Sequence, residues 1–414
     1  QTQGEMGIIP REAAEEIGRR ASLEALHLEA VRREYGVSRN SLVPVLKALR
    51  RACGATHGEY VHYGVTTQDV IDTGEVLALK ELLAIVARDL GRVRNLLLDL
   101  ARRHRNTPMI GRTHSQQALP ITFGLKAAVW LAEVDRHMDR IASLRERVLI
   151  GQLGGAVGTM AALGQHALAI KRRTLEQLGL GASAEAWHTA RDNPAELCAI
   201  LAMITVSLAK IANEIILLGR TELGELREPP AGRQTASSST MPHKRNPVLC
   251  ERVVVLSSHA RALSSVVMEA MLHENERDPR SLWSEWLAVP QIAVYTGTAL
   301  AYMKAILVDL EIFPERMLAN LHLHKDMVAS EWLLFRLAGK LGKPRALAVL
   351  QTASAKAVAE DRALADLLLA DPETSALLDE VDLAIAAAPE AYLGEAHAIV
   401  DAVIAKVERK LQTG

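Results

Sequence analysis

The run from about Ile71 to His104 constrains this chain most. Val76, Leu79, Leu82, Leu83, Val86, Leu90, Val93 and Leu97 recur there every three or four residues, with no proline between them. That spacing predicts one long amphipathic helix. Similar patterns run from Pro120 to about Leu149, from Asn193-Pro194 to roughly Leu226, from Pro247 to about Met271 and from near Glu285 to Asp309. Helices of about 25–35 residues are roughly 40–50 Å long. Their apolar residues extend round more than one face, so they need cover on several sides. One chain can hardly supply it, and a helix bundle shared between subunits is the economical solution. An aromatic share of only 3% goes with helix rather than sheet. The expected fold is therefore all-α, a long-helix bundle with smaller helical regions at both ends. We divide it into an N-terminal region 1–70, a central bundle 71–325 and a C-terminal helical domain 326–414.

Charge and cysteine usage narrow the function. A net charge of −1 offers no basic surface, so nucleic acid is not expected as a partner. Cys53, Cys198 and Cys250 are scattered and show no metal spacing, which points to a reduced, cytoplasmic setting. The longest apolar stretch, Leu197 to Ala209, contains Thr205 and Ser207 and is closed by Lys210. It is too short to span a bilayer and reads as a buried core helix. No secretory leader is read; the chain starts at Gln1 rather than Met, so further N-terminal residues are expected upstream.

Three loops carry unusual polar clusters, and each leads into a long helix: Thr66-Thr67, Thr113-His114 and the stretch Ser237-Ser238-Ser239-Thr240-Met241-Pro242-His243-Lys244-Arg245-Asn246-Pro247. In the last, small hydroxyl residues make a mobile loop, and Asn246-Pro247 reads as N-cap and first helical residue. Hydroxyls, an ammonium, an amide and a positive helix end would share one small volume. Such a site suits negative charge developing on a carboxylate. The Gly-rich stretch Gly151–Gly158 has no preceding strand and no closing G-K-[ST], so nucleotide binding is not expected there.

The serine loop resembles the G-S-S-x-M-P-x-K-x-N signature of the fumarase/aspartase superfamily, which includes argininosuccinate and adenylosuccinate lyases and 3-carboxymuconate cycloisomerases. The run His62 to Thr73, and Gly111-Arg112-Thr113-His114 with Pro120-Ile121-Thr122, resemble two further blocks of that superfamily. The resemblance implies a homotetramer in which the three blocks meet from three subunits. It implies that Ser238 is the base, as its alkoxide, with Ser237 and Ser239 as rivals. Such an alkoxide needs stabilisation by loop N–H groups and Lys244. Lys244 and Asn246 would bind the carboxylate that gains charge, although Asn246 could equally serve as a helix cap. Thr66, Thr67, Thr113, Ser239 and Arg277 complete the expected substrate-binding set. His114 would protonate the leaving group or position the residue that does. Glu251 would orient its imidazole; as a first-turn acid it also suits the helix dipole.

Trp187 to Asp192, His273 to Arg277, Trp283 to Trp286 and the tail from Pro389 resemble the cycloisomerase branch, whereas His114 with Glu251 resembles the eliminating lyases. The expected reaction is β-elimination from a small succinate-type polycarboxylate with an amine, nitro or oxygen leaving group, giving fumarate or an analogue. The alternative is a 3-carboxy-cis,cis-muconate cycloisomerase, and adenylosuccinate lyase comes third. Asn40, Ala190 and Trp286 stand where nucleotide-binding relatives carry other residues, and they are read as specificity positions. A catalytically silent structural role is the reading from another class; intact Ser238, Lys244, Asn246 and His114 oppose it. No metal and no organic cofactor is expected, since the chemistry needs only proton transfer and charge stabilisation.

Overall fold

The computed structural model describes residues 1–230, 241 and 243–413. The chain divides into two compact units, one of residues 1–88, 139–203 and 258–297, the other of residues 89–138, 204–257 and 298–414. The structure is all-α in character. Its long helices are α1 (Thr67–Arg103), α2 (Phe123–Val148), α3 (Asp192–Leu218), α4 (Val248–Glu269) and α5 (Pro279–Val308). The periodicity read along α1 is its buried face: Leu83, Val86, Leu90, Val93 and Leu97 are all fully buried. Each such side chain contributes about 1.5–3 kcal/mol on leaving water.

Two helices are long and apolar enough to cross a membrane by length and composition alone. In α3, 67% of the most apolar window is buried, as in a core helix. In α5 only 39% is buried, and Trp283, Leu287 and Val294 lie along one exposed stripe.

Short helices make up the N-terminal region. Asn40 Oδ1 accepts the N–H groups of Leu42 and Val43 at 3.0 Å and so caps the helix Val43–Ala52. In the C-terminal region Leu333, Leu337, Ala346, Leu350, Leu364, Leu368 and Ala386 form a separate small core. The Asp326 carboxylate accepts the N–H groups of Leu364 and Ala365, starting the helix Leu364–Ala370.

Four local expectations change. The segment from Pro108, read as a loop, is a β-hairpin of β1 (Pro108–Thr113) and β2 (Gln116–Thr122), and α2 starts only at Phe123. The turn residues His114 and Ser115 both have positive φ, 51° and 63°, the geometry of a two-residue type I′ turn. His-Ser is not the Asn-Gly pair that signals such a turn in sequence. Next, α3 stops at Leu218 instead of reaching Leu226, because Gly219 and the left-handed Gly224 turn the chain back and Glu225 N–H bonds to the Leu218 carbonyl at 2.9 Å. The helix α5 starts six residues before Glu285. Asp278 Oδ1 accepts the Arg280 N–H at 3.0 Å and Pro279 takes the first helical position, an Asx-Pro device that recurs at Asp371-Pro372. Finally, the first-turn amides of α4 are capped from a distance. Glu228 accepts from Leu249 N at 2.9 Å and from Cys250 N at 2.8 Å, so this buried carboxylate does the capping expected of Asn246.

Candidate active site

In the first unit, Thr66 and Thr67 sit half-buried at the start of α1. Thr66 N–H donates to Asp69 Oδ2 at 3.0 Å, the return arm of a capping box, which is why the helix begins at Thr67 rather than near Ile71. Gly64, two residues before Thr66, is left-handed (φ 69°), and a Cβ there would lie 2.5 Å from Leu163 Cδ2, so a side chain at that turn would meet both backbone strain and a crowded neighbour. The buried Asp69 carboxylate also accepts from Gly154 N at 2.8 Å, from Gly155 N at 2.9 Å and from His188 Nε2 at 2.8 Å. Burial alone would raise its pKa, but the His188 bond and the three amides outweigh burial and hold the carboxyl below its ordinary value. Arg277, expected at the substrate, donates its Nε–H to Gln68 Oε1 at 2.8 Å and an Nη2–H to the Ala156 carbonyl at 2.9 Å.

Beneath this loop lies a buried charge cluster that was not anticipated. Arg191 is 1% exposed and donates to both Asp72 oxygens, at 3.0 and 3.2 Å, and to both Glu285 oxygens. Its guanidinium also stacks 4.7 Å from the Trp187 ring centre. Two carboxylates against one guanidinium leave an excess of negative charge. Burial raises Asp72 despite Arg191, and burial with repulsion from Glu285 pushes Glu75 up to about 7. The signals were present as Asp72 and Glu75 one turn apart and the Arg191-Asp192 pair, but nothing in the sequence marks Glu285 as their neighbour.

In the second unit, Thr113 and His114 are exposed at the tip of the β1–β2 hairpin. The arm behind them is braced. A bulge falls between Ile110 and Arg112, and Arg112 makes a two-pronged ion pair with Glu225 at 2.6 and 2.9 Å. Glu225 is fully buried, and Asn320 Nδ2 donates to the same carboxylate at 2.7 Å. Gln117 Nε2 in turn donates to the Asn320 carbonyl at 2.9 Å, tying β2 to the same group.

Lys244 is exposed, Asn246 is half-buried just before α4, and Glu251 is exposed on its first turn. Among the described residues, no ion pair or hydrogen bond joins Glu251 to His114 within the chain. Ser237, Ser238 and Ser239 lie outside the described residues. The expected residues thus fall in both units: Thr66, Thr67 and Arg277 in the first, and Thr113, His114, Lys244, Asn246 and Glu251 in the second. Of the three specificity positions, Asn40 caps a helix, Ala190 is exposed, and Trp286 is half-buried with its indole N–H unpartnered. Among the described residues no group of three His, Cys, Asp or Glu side chains is placed to hold a metal ion. As functional groups these residues supply hydroxyls, one ammonium, an amide and, on the braced turn, an exposed imidazole, chemistry suited to proton transfer beside a carboxylate.

The chain resembles known proteins over most of its length. A family model described as "Lyase" matches residues 9–261, and one described as "Adenylosuccinate lyase C-terminus" matches residues 326–403. The chain is 40% identical over 402 residues to an N-acetyl-S-(2-succino)cysteine lyase of Dickeya dadantii, covering 97% of this chain and 88% of that one. It is likewise 40% identical over 414 residues to an adenylosuccinate lyase of Pyrococcus abyssi, covering 99% and 91%. Among solved structures, the 3-carboxy-cis,cis-muconate lactonizing enzyme of Pseudomonas putida superimposes with a TM-score of 0.90 at 35% identity, covering 99% and 91%.

Proposed function

Since this chain belongs to the fumarase/aspartase superfamily of lyases, we propose that it catalyses β-elimination from a 2-succinyl compound, releasing fumarate from a sulfur or nitrogen leaving group. The observation that carries this reading is its likeness, over nearly the whole of this chain, to two lyases whose names both contain a succinyl group. A sulfur leaving group was absent from the amine, nitro and oxygen set expected from the sequence; the name of the Dickeya enzyme supplies it.

In this reading Ser238, as alkoxide, removes the proton next to one carboxylate. Lys244 and Asn246 stabilise the charge that accumulates there, as a point cation and a hydrogen-bond donor. Thr66, Thr67, Thr113 and Ser239 hold the second carboxylate. The carbon–heteroatom bond then breaks, and His114, oriented by Glu251 of a neighbouring subunit, gives the leaving atom its proton. A homotetramer with shared sites is part of the proposal. Its support is the exposed apolar stripe of Trp283, Leu287 and Val294 on α5, a face that a monomer would leave in water. The three free, buried cysteines go with a cytoplasmic setting.

A cycloisomerase reading is favoured by the likeness to the Pseudomonas lactonizing enzyme. An adenylosuccinate lyase reading is opposed by Trp286, whose ring cannot make two-pronged phosphate contacts. The test is an ultraviolet assay of purified protein with N-acetyl-S-(2-succino)cysteine, adenylosuccinate and 3-carboxymuconate in turn. Fumarate release from a succinyl compound is expected. Loss of the muconate chromophore alone would overturn elimination in favour of cycloisomerisation.

A further inference from the structure

The Gly-rich stretch and His188 have no role in the reaction as described, yet both converge on one carboxylate in the first turn of α1. Asp69 stands at the third position of that helix and accepts four N–H groups: Thr66 N, Gly154 N, Gly155 N and His188 Nε2. A carboxylate that only receives requires the Nε2–H form of His188. His188 and Asp69 are each 3% exposed, so their bond is shielded from water. The glycines are there for access. A Cβ on Gly154 would lie 2.6 Å from Ala186 Cβ and 2.7 Å from His188 Cε1, and Gly155 has φ 68°. Only glycines let two successive amides reach the carboxylate. A loop that looks like a phosphate cradle therefore turns its amides on the protein's own anion.

A second chain of bonds closes the arrangement into a ring. Gln68 Nε2 donates to the His188 carbonyl at 2.9 Å, Arg277 Nε donates to Gln68 Oε1 at 2.8 Å, and Arg277 Nη2 returns to the Ala156 carbonyl of the Gly-rich stretch at 2.9 Å. Thr66 and Thr67 adjoin Gln68 and Asp69, the two members of the ring that lie on α1.

We propose that the Asp69–His188 pair, closed by Gln68 and Arg277, is a positioning device that aims Thr66 and Thr67 at the substrate carboxylate. This rests on the reading of those threonines as carboxylate donors. Asp69 and His188 touch no substrate. They act by fixing the backbone on which the donors sit, and a donor displaced by a fraction of its hydrogen-bond length loses most of its binding contribution.

The test is a double-mutant cycle scored on KM and kcat with the succinyl substrate. Removing the donor in His188→Leu should raise KM about tenfold or more with kcat changed less than about threefold, while His188→Gln, which keeps an N–H, should recover most of the loss. In a Thr66→Val/Thr67→Val background, His188→Leu should cost less than about twofold further, because nothing remains to be aimed. If the loss in that background equals the loss in the parent, His188 acts elsewhere and the positioning role is overturned. If the threonine substitutions themselves leave kcat/KM unchanged, the reading of the threonines fails and takes this inference with it, an outcome distinct from the first. Should His188→Leu not fold, Gln68→Met opens the same ring from its other side and is scored on the same cycle.

Discussion

Replacing Glu75 with Gln should stabilise the protein at alkaline pH and scarcely at all in acid. Glu75 is half-buried beside Asp72 and Glu285, with Arg191 opposing them. Its carboxyl is held at about 7 against an ordinary value of 4.5, chiefly by burial and then by repulsion from Glu285. The native state therefore keeps a proton that the unfolded chain releases across that window. Stability falls as pH rises from 4.5 to about 7 and is flat above it. At about 1.4 kcal/mol per pH unit the full penalty is about 3 kcal/mol. Glutamine has the shape of the neutral acid and carries no such cost. The variant should gain less than about 1 kcal/mol at pH 5 and about 3 kcal/mol at pH 8. Urea unfolding followed by circular dichroism, at one fixed protein concentration, measures the gap. An equal gap at both pH values, or a variant less stable than the parent at pH 8, would show that the folded protein ionises Glu75 without penalty.

Two further outcomes are expected. Arg112→Met should lower stability by about 3–5 kcal/mol, because it leaves the buried Glu225 carboxylate with Asn320 in place of a guanidinium; adding Glu225→Met should recover much of that in thermal unfolding, and an unrecovered loss would mean the pair is not the cause. Ser238→Ala and His114→Asn should each abolish fumarate release, and mixing the two inactive proteins under subunit-exchange conditions should restore a fraction of it, whereas a mixture that stays inactive counts against sites shared between subunits.

Much of the fold was legible because its helices obey a local rule. The apolar positions of α1 recur at three and four, and the same residues form its buried face. The Asn193-Pro194 pair signalled a helix there, although α3 starts at Asp192 and takes Asn193 inside its first turn, and the Asp278-Pro279 start was legible but overlooked. The serine loop, Lys244, Asn246 and His114 were singled out from residue types and motif alone, and their roles belong to the proposed reaction.

What escaped depends on partners far apart in the chain. The hairpin behind His114 needs two left-handed residues that sequence does not mark, and its brace joins Arg112 to Glu225 across 113 positions. The Glu228 cap of α4 crosses 21 positions, and the Asp69–His188 bond crosses 119. The amino-acid sequence by itself marked most of the long helices and singled out the polar side chains proposed to handle a carbanion, because helix periodicity and functional-group chemistry are local. Only the tertiary structure decided which carboxylates lie buried and what each one accepts. A charge leaves water only where several donors converge on it, and that convergence is a property of the packed chain rather than of any one stretch.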